Sequence, residues 1–161
     1  MVSGFPKRVY TVDELEKARE LVESGYKHRL IVKGHPRFKK RVKEALNHVK
    51  TAGFYGFLRS YIRQIVEIEG FSQLREAEAA IWANMQLLEN PIDAAGFFVQ
   101  KASQMKEFLE GKLYYGGAAE ARSVEKRIEF LRILRIKSKS RAVKDECGKI
   151  LKKWAESTFV F

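Results

Sequence analysis

The chain has 161 residues, with 31 Lys or Arg against 20 Asp or Glu, and therefore carries a formal net charge of +11. Apolar residues make up 45% of it, which excludes a wholly disordered chain, and its single cysteine excludes a disulfide-stapled scaffold. This length predicts a single domain over residues 1–161, and the patterns described below predict that the domain is helical.

The absence of long apolar runs bears on the location of the protein. No stretch of about 18 apolar residues occurs, so we expect no membrane span. Residues 1–8 lack the apolar segment of a secretory signal, and the lone Cys147 fits a reducing compartment. These features favour a cytoplasmic protein. The apolar residues 158–161 are expected to pack back onto the core.

The first predicted elements are a helix and a short strand. Thr11 and Glu14 have the spacing of a capping box, and apolar residues follow at helical intervals, which predicts a helix over 11–24. Residues 28–34 are rich in β-branched side chains and form the best strand candidate. Residues 7–10 are a weaker candidate for its partner strand.

Helical patterns then continue to the end of the chain. Pro36 suits a first helical turn, and the following residues keep an apolar stripe as far as Gly53. A wide apolar arc over 54–68 predicts a central, largely buried helix that ends at Gly70. Further helices are predicted, with Ser72 as an N-cap, over 72–88, from Pro91 to about 109, and over 118–136 and 141–157.

This element order predicts a mainly α fold. We expect an irregular bundle of six or seven helices with at most one or two short strands, both near the N-terminus. No repeat of fixed period is visible, so a solenoid is not expected.

The positive charge is concentrated in two separate segments. Residues 27–50 contain nine Lys or Arg and one acid, a net charge of +8, and residues 122–153 contain twelve and four, again +8. Residues 66–111 between them have a net charge of −5, from three basic and eight acidic residues. Unpaired positive charge repels itself and so costs stability. The acidic middle of the protein itself, a polyanion or an acidic partner could offset that cost.

We therefore predict a non-catalytic protein that binds a polyanion, most simply nucleic acid through its phosphates. Tyr55, Phe54 and the Tyr114–Tyr115 pair could stack on unpaired bases. No helix-turn-helix, RRM, KH or zinc-finger signature is present, so no sequence-specific reading is predicted. The candidate anion-binding residues are Arg37, Lys39, Lys40, Lys43, Arg132, Arg135, Lys137, Lys139 and Arg141.

Two other functions remain open at this stage. The basic surface could bind an acidic protein, or the acidic middle of one copy could meet the basic segments of another. A more distant alternative is an enzyme that clamps an anionic small molecule with its basic residues. The charged segments are also compatible with an ordinary solvated helix surface.

Residue types that carry chemistry give weaker indications. Glu44 and His48 share a helix face, but their spacing fits an ion pair better than a metal site. The acids on either side of Gly70 could hold a cation, although a helix dipole explains some of them. Cys147 lies on an apolar stripe, which indicates a buried, inert thiol. We predict no catalytic residue, metal or cofactor.

Overall fold

Helix α1 spans Val12–Glu23 in the computed structural model, which describes residues 4–158. Its capping box is formed as expected: Thr11 Oγ1 accepts a hydrogen bond from Glu14 N at 3.2 Å, and the Glu14 carboxylate accepts one from Thr11 N at 2.8 Å. Gly25 follows with φ of +93°, a conformation that suits glycine at a helix end. The helix predicted over 11–24 is therefore confirmed.

Six further helices and four short strands follow within the described residues. In chain order they are β1 (Ile31–Lys33), α2 (Pro36–Thr51), α3 (Tyr55–Tyr61), β2 (Gln64–Glu67), β3 (Gln73–Arg75), a 3₁₀ turn (Glu76–Glu78), β4 (Ala80–Ala83), α4 (Met85–Leu88), α5 (Pro91–Leu109), α6 (Gly117–Lys137) and α7 (Arg141–Thr158). The predicted mainly α class is confirmed.

The four strands form one mixed sheet in the order β1-β2-β4-β3. β1, β2 and β4 are parallel, whereas β3 pairs antiparallel with β4 at the far edge. Ile65 and Ile81 are paired in the two middle strands and are fully buried. The expectation of at most one or two strands near the N-terminus is therefore wrong, because three strands lie between residues 64 and 83.

The predicted helices over 54–68 and 72–88 are the source of this error. The first ends at Tyr61, and Ile65 and Val66, which follow it, belong to β2. Ser72 caps no helix; its Oγ accepts a hydrogen bond from Asn84 N at 3.0 Å, between the sheet and α4. These strands are only three or four residues long, so their apolar residues also fit the spacing of a helical stripe.

The central helix is α5 rather than the segment predicted at 54–68. It packs against α1, α2, α3, α4, α6 and α7, and eleven of its residues are buried. Asn90 caps it by accepting hydrogen bonds from the backbone N–H groups of Ile92 and Asp93. Sheet residues and helix residues belong to the same cluster of buried side chains.

A buried arginine joins the last three long helices. Arg127 of α6 donates hydrogen bonds to Asp93 Oδ1 and to Gln100 Oε1 of α5, each at 2.8 Å, and its guanidinium lies 5.0 Å from the ring centroid of Trp154 in α7. Burial lowers the pKa of Arg127, while Asp93 opposes that effect. The network therefore holds the α6–α7 pair against the central helix.

Two further expectations concern membrane spans and the packing of the last residues. Among the described residues, no helix is long and apolar enough to cross a membrane. The expected packing of the apolar side chains of residues 158–161 lies outside the described part of the chain.

Candidate polyanion-binding surface

Three lysines of α2 lie in a row on its exposed flank. Lys39, Lys43 and Lys50 are separated by four and seven residues, so at 100° per residue they fall within about 40° of one another. The row is about 16 Å long, from eleven residues at 1.5 Å each. All three side chains are exposed, because the apolar stripe that begins with Phe38 and Val42 turns the opposite flank toward the core. We call these three residues the lysine row.

The other charged residues of α2 surround this row. Arg37 and Lys40 are also exposed, farther round the solvent side of the helix. Glu44 is the only acid of α2, and its carboxylate lies 3.5 Å from Arg41 Nη1. The ion pair expected between Glu44 and His48 is therefore not formed, and burial lowers the pKa of that histidine.

The lysine row ends at an aromatic ring that carries two cations. Gly53, with φ of +83°, turns the chain between α2 and α3 and places Tyr55 beside Lys50. Lys50 Nζ lies 4.6 Å from the ring centroid of Tyr55, and Arg59 Cζ lies 5.6 Å from it. Arg59 is held in place by a 2.7 Å hydrogen bond from its Nε to the carbonyl of His28.

A third cation reaches the same corner from the segment before β1. Lys27 Nζ donates a 3.1 Å hydrogen bond to Ser60 Oγ on α3, and Lys27 Cε lies 3.4 Å from the position that a Cβ on Gly56 would take. Three separate parts of the chain thus bring positive charge to one place. We call Lys27, Lys50, Tyr55 and Arg59 the Tyr55 corner.

One of the predicted anion-binding residues of the second basic segment also lies near this corner. Lys137 Nζ, at the end of α6, lies 3.5 Å from the position that a Cβ on Gly53 would take. Farther up α6, Lys126 Nζ lies over the rings of Phe54 and Phe57, at 5.3 and 5.1 Å from their centroids. Lys126 also pairs with a glutamate one turn along. Lys137 therefore links the two charged segments in space.

Arg132 and Arg135 lie on a different flank of α6. Arg135 is about 200° around the helix from Lys137, and both arginines line a groove between α6 and α7. Lys139 and Arg141 lie at the turn between these helices and are exposed, and Arg141 pairs with Asp145 at 3.4 Å. The fold thus places the nine predicted residues on two surfaces, with Lys137 on the side of α2.

Very few of these cations are neutralised within the protein. All nine predicted residues are exposed, and within residues 4–158 only Arg141 has a carboxylate oxygen within 4.0 Å. The acidic residues 66–111 therefore do not neutralise the basic segments by direct contact. The unmatched charge leaves a positive surface that an external anion can approach.

The predicted stacking aromatics differ in their accessibility. Phe54 is only 8% exposed and packs edge-on against Phe130, so it is not available to a base. Tyr114 packs against Phe108, and burial followed by the charge of Glu76 raises the pKa of its hydroxyl to about 12. Tyr115 is 60% exposed. Tyr55 is half-buried at the end of the lysine row.

Glu67, one of the acids near Gly70, is hydrogen-bonded within the protein, and Cys147 is buried. Glu67 accepts hydrogen bonds from His35 N and Nδ1, at 2.9 and 3.0 Å, and so binds the start of α2. Among residues 4–158 no group of three or more His, Cys, Asp or Glu is placed to hold a metal ion. Cys147 is fully buried, as predicted, and burial raises the pKa of its thiol to about 11 despite nearby Arg135.

The candidate residues named from the sequence leave out three of the residues that form this surface. The helical period does place Lys50 on the same solvent side of the helix as Lys39 and Lys43, but Lys50 is not among the candidates. Arg59 follows Tyr55 by four residues on α3, so the helical period also places it beside that ring. Lys27 belongs to the basic segment 27–50, but only tertiary packing brings it to α3, where it bonds to Ser60.

Comparisons with known proteins add no relative to this description. No family model matches the chain, and no curated protein or solved structure is significantly similar to it.

Proposed function

We propose that this chain is a non-catalytic protein that binds nucleic acid through phosphate contacts on the lysine row and the Tyr55 corner. One observation carries the proposal: six cations from four parts of the chain lie along the row or beside the corner at its end. Within residues 4–158 none of the six has a carboxylate within 4.0 Å. They are Lys27, Lys39, Lys43, Lys50, Arg59 and Lys137.

The shape of the surface supports backbone contact rather than base reading. A lysine row of about 16 Å faces several phosphates, because each strand of a duplex carries one charge per roughly 3.4 Å of axis. Lysine is a flexible point charge, and phosphate contacts fix a protein on nucleic acid without carrying sequence information. We therefore expect binding to be similar for unrelated sequences.

Tyr55 gives the surface a preference for unpaired strands. Its ring adjoins the last lysine of the row and could stack on a base while Lys50 and Arg59 hold the flanking phosphates. Base stacking on an aromatic side chain is worth roughly 1–3 kcal/mol per base and does not depend on base identity. We expect single-stranded RNA or DNA to bind more tightly than a duplex of equal length.

The decisive experiment is a titration of labelled single strands and duplexes against salt concentration, read by fluorescence anisotropy. Replacing Lys39, Lys43 and Lys50 by Gln together should weaken binding to every sequence. The same change should lower the slope of log K against log salt by about 2 to 3, since each phosphate contact contributes roughly 0.7 to 0.9.

A matched variant removes the same charge elsewhere. Replacing Lys106, Lys112 and Lys149 by Gln lowers the net charge equally, and these lysines are exposed away from the row. This control should keep the wild-type slope. An affinity that does not change with salt, or an equal loss in both triple variants, would contradict the proposal.

A further inference from the structure

The second basic surface differs from the first in having an apolar floor. The groove between α6 and α7 has a volume of about 1100 Å³. Ile128, Ile136 and Leu151 form much of its floor, and Ile136 is 76% exposed. A phosphate backbone offers nothing to cover this apolar surface. The natural occupant of the groove therefore carries apolar side chains.

The rim of the groove is entirely cationic. Arg132 and Arg135 of α6 and Lys144 and Lys152 of α7 line it, and no described acidic residue does. Lys144 Nζ is engaged, because it donates hydrogen bonds to the carbonyls of Arg135 and Ile136 at 2.9 and 3.3 Å. The other three have no carboxylate within 4.0 Å among residues 4–158. Carboxylates on an occupant would therefore complement the charge of this rim.

A glycine in the middle of α7 keeps part of the floor open. Gly148 lines the groove, and glycine at such a position costs a helix roughly 1 kcal/mol relative to alanine. The fold does not demand it: an added Cβ would lie 3.5 Å or more from the Arg135 guanidinium, an ordinary contact distance. The helix therefore carries a glycine that its own packing does not need, at a place where a ligand would need the space.

We propose that the α6–α7 groove binds an acidic amphipathic helix from a partner protein. Its apolar stripe would cover the three floor residues, and its flanking Glu or Asp side chains would pair with Arg132, Arg135 and Lys152. The groove follows α7 from Lys144 to Ala155, about 16 Å, which matches three turns of a third helix. Laying an apolar helix face into a groove of this kind is a common mode of recognition.

The test uses a designed peptide of about four turns, with Leu along one face and Glu on both sides of it. Its affinity is measured by calorimetry, and its position by shifts of the labelled methyl groups of Ile128, Ile136 and Leu151. Replacing Arg132 and Arg135 by Gln should weaken binding about tenfold or more. The same peptide with its Glu residues changed to Gln should show a similar loss.

A second variant, Gly148→Leu, fills the floor and displaces the Arg135 guanidinium beside it without changing the net charge. It should also weaken peptide binding at least about tenfold while keeping the native circular dichroism and a cooperative thermal transition. As a charge-matched control, Lys149→Gln together with Lys153→Gln removes two cations from another flank of α7 and should leave the affinity unchanged.

Other occupants give different results, and each would overturn this proposal. A peptide that fails to bind, or a nucleic acid that competes with it and loses affinity in Gly148→Leu, would reassign the groove. So would a dimer that dissociates in Gly148→Leu, or methyl shifts reproduced by deleting residues 159–161. The lysine-row variants should bind the peptide normally, so this proposal and the proposed function fail independently.

Discussion

The guanidinium group of Arg127 occupies the space that a side chain on Gly96 would need. A Cβ added at Gly96 would lie 3.1 Å from Arg127 Nε and 3.2 Å from its Cγ. Arg127 cannot easily move away, because it is buried and holds both Asp93 and Gln100. Helices α5 and α6 therefore pack closely at Gly96, and the buried Arg127 side chain fills the space beside it.

Gly96→Ala should destabilise the protein by about 1 kcal/mol or more. Alanine is the better helix former, but here the gain is outweighed by displacement of a buried, hydrogen-bonded arginine. Gly148→Ala is the matched comparison, since its Cβ meets only ordinary contacts, and it should stabilise the protein by up to about 1 kcal/mol. Urea unfolding of the two variants measures both effects, and shifts of equal sign would refute this account.

Glu67→Ala should lower stability by about 1 kcal/mol, as loss of a helix cap does. His35, the N-cap residue of α2, makes no side-chain capping bond, and the Glu67 carboxylate binds its backbone N–H instead. That hydrogen bond holds the pKa of Glu67 below its usual value, so its contribution is present above that value and is lost as the pH falls through the folded-state pKa.

The neighbouring exposed Glu69 provides the control for this prediction. Glu69→Ala makes the same change in charge and side-chain size but removes no bond to α2. It should leave the midpoint of thermal unfolding close to that of the wild type. Equal destabilisation by both substitutions would show that Glu67 acts only through net charge.

The wild-type protein should lose stability between pH 6.5 and about 4 partly through His28. This side chain is 1% exposed and packs against the rings of Phe5 and Tyr26. Burial first, then the charges of Arg63 and Arg59, lower its pKa to about 4. The unfolded chain therefore binds a proton in this pH range that the native protein does not, which costs up to about 1.4 kcal/mol per pH unit.

His28→Gln should remove that part of the pH dependence, because glutamine does not titrate. The measurement is the free energy of unfolding in urea at several pH values, compared as a difference between wild type and variant. A difference that stays constant from pH 7 to about 4 would contradict the assignment to His28.

Cys147 should react with a thiol reagent at least about 100-fold more slowly than an exposed cysteine, until the protein unfolds. Its side chain is buried and its thiol pKa is raised to about 11, so little thiolate forms near neutral pH. The comparison variant combines Cys147→Ala with Ser157→Cys, at an exposed position of α7. Similar rates for the two thiols in the native proteins would refute this prediction.

Long helices were readable from the sequence because their signals repeat. The helices that became α5, α6 and α7 were predicted within one or two residues, since each carries several turns of apolar period and a Pro, Gly or Ser at its boundary. The strand at 31–33 was also found, from its β-branched residues.

The central strands could not be recognised in the same way. In β2 and β4, Ile65 and Ile81 lie in segments of four residues, too short for an alternating pattern to stand out. Their spacing from Ile62 and Met85 happens to be three and four, which is also a helical interval. Only the pairing of residues far apart in sequence distinguishes the two structures.

The candidate surfaces also combine residues that local sequence identifies with residues that only tertiary packing brings together. Charge density and helical period were sufficient to select Lys39 and Lys43, which are local features of one helix. The separation of Arg132 and Arg135 from Lys137 follows from which flank of α6 meets α2, and that depends on tertiary packing. Lys27 joins the surface only through tertiary packing, because it comes from the segment before β1 and bonds to Ser60 of α3.

The position of β2 between β1 and β4 has a consequence for synthesis on the ribosome. When Glu67 has emerged, one edge of β2 still lacks its partner, and Ala83 follows only 16 residues later. At roughly 5–20 residues per second, this edge stays open for about 1–3 s. During that time the nascent chain presents an unpaired strand edge with Ile65 and Val66 uncovered, so a pause in translation just after Glu67 should increase its recruitment of chaperones.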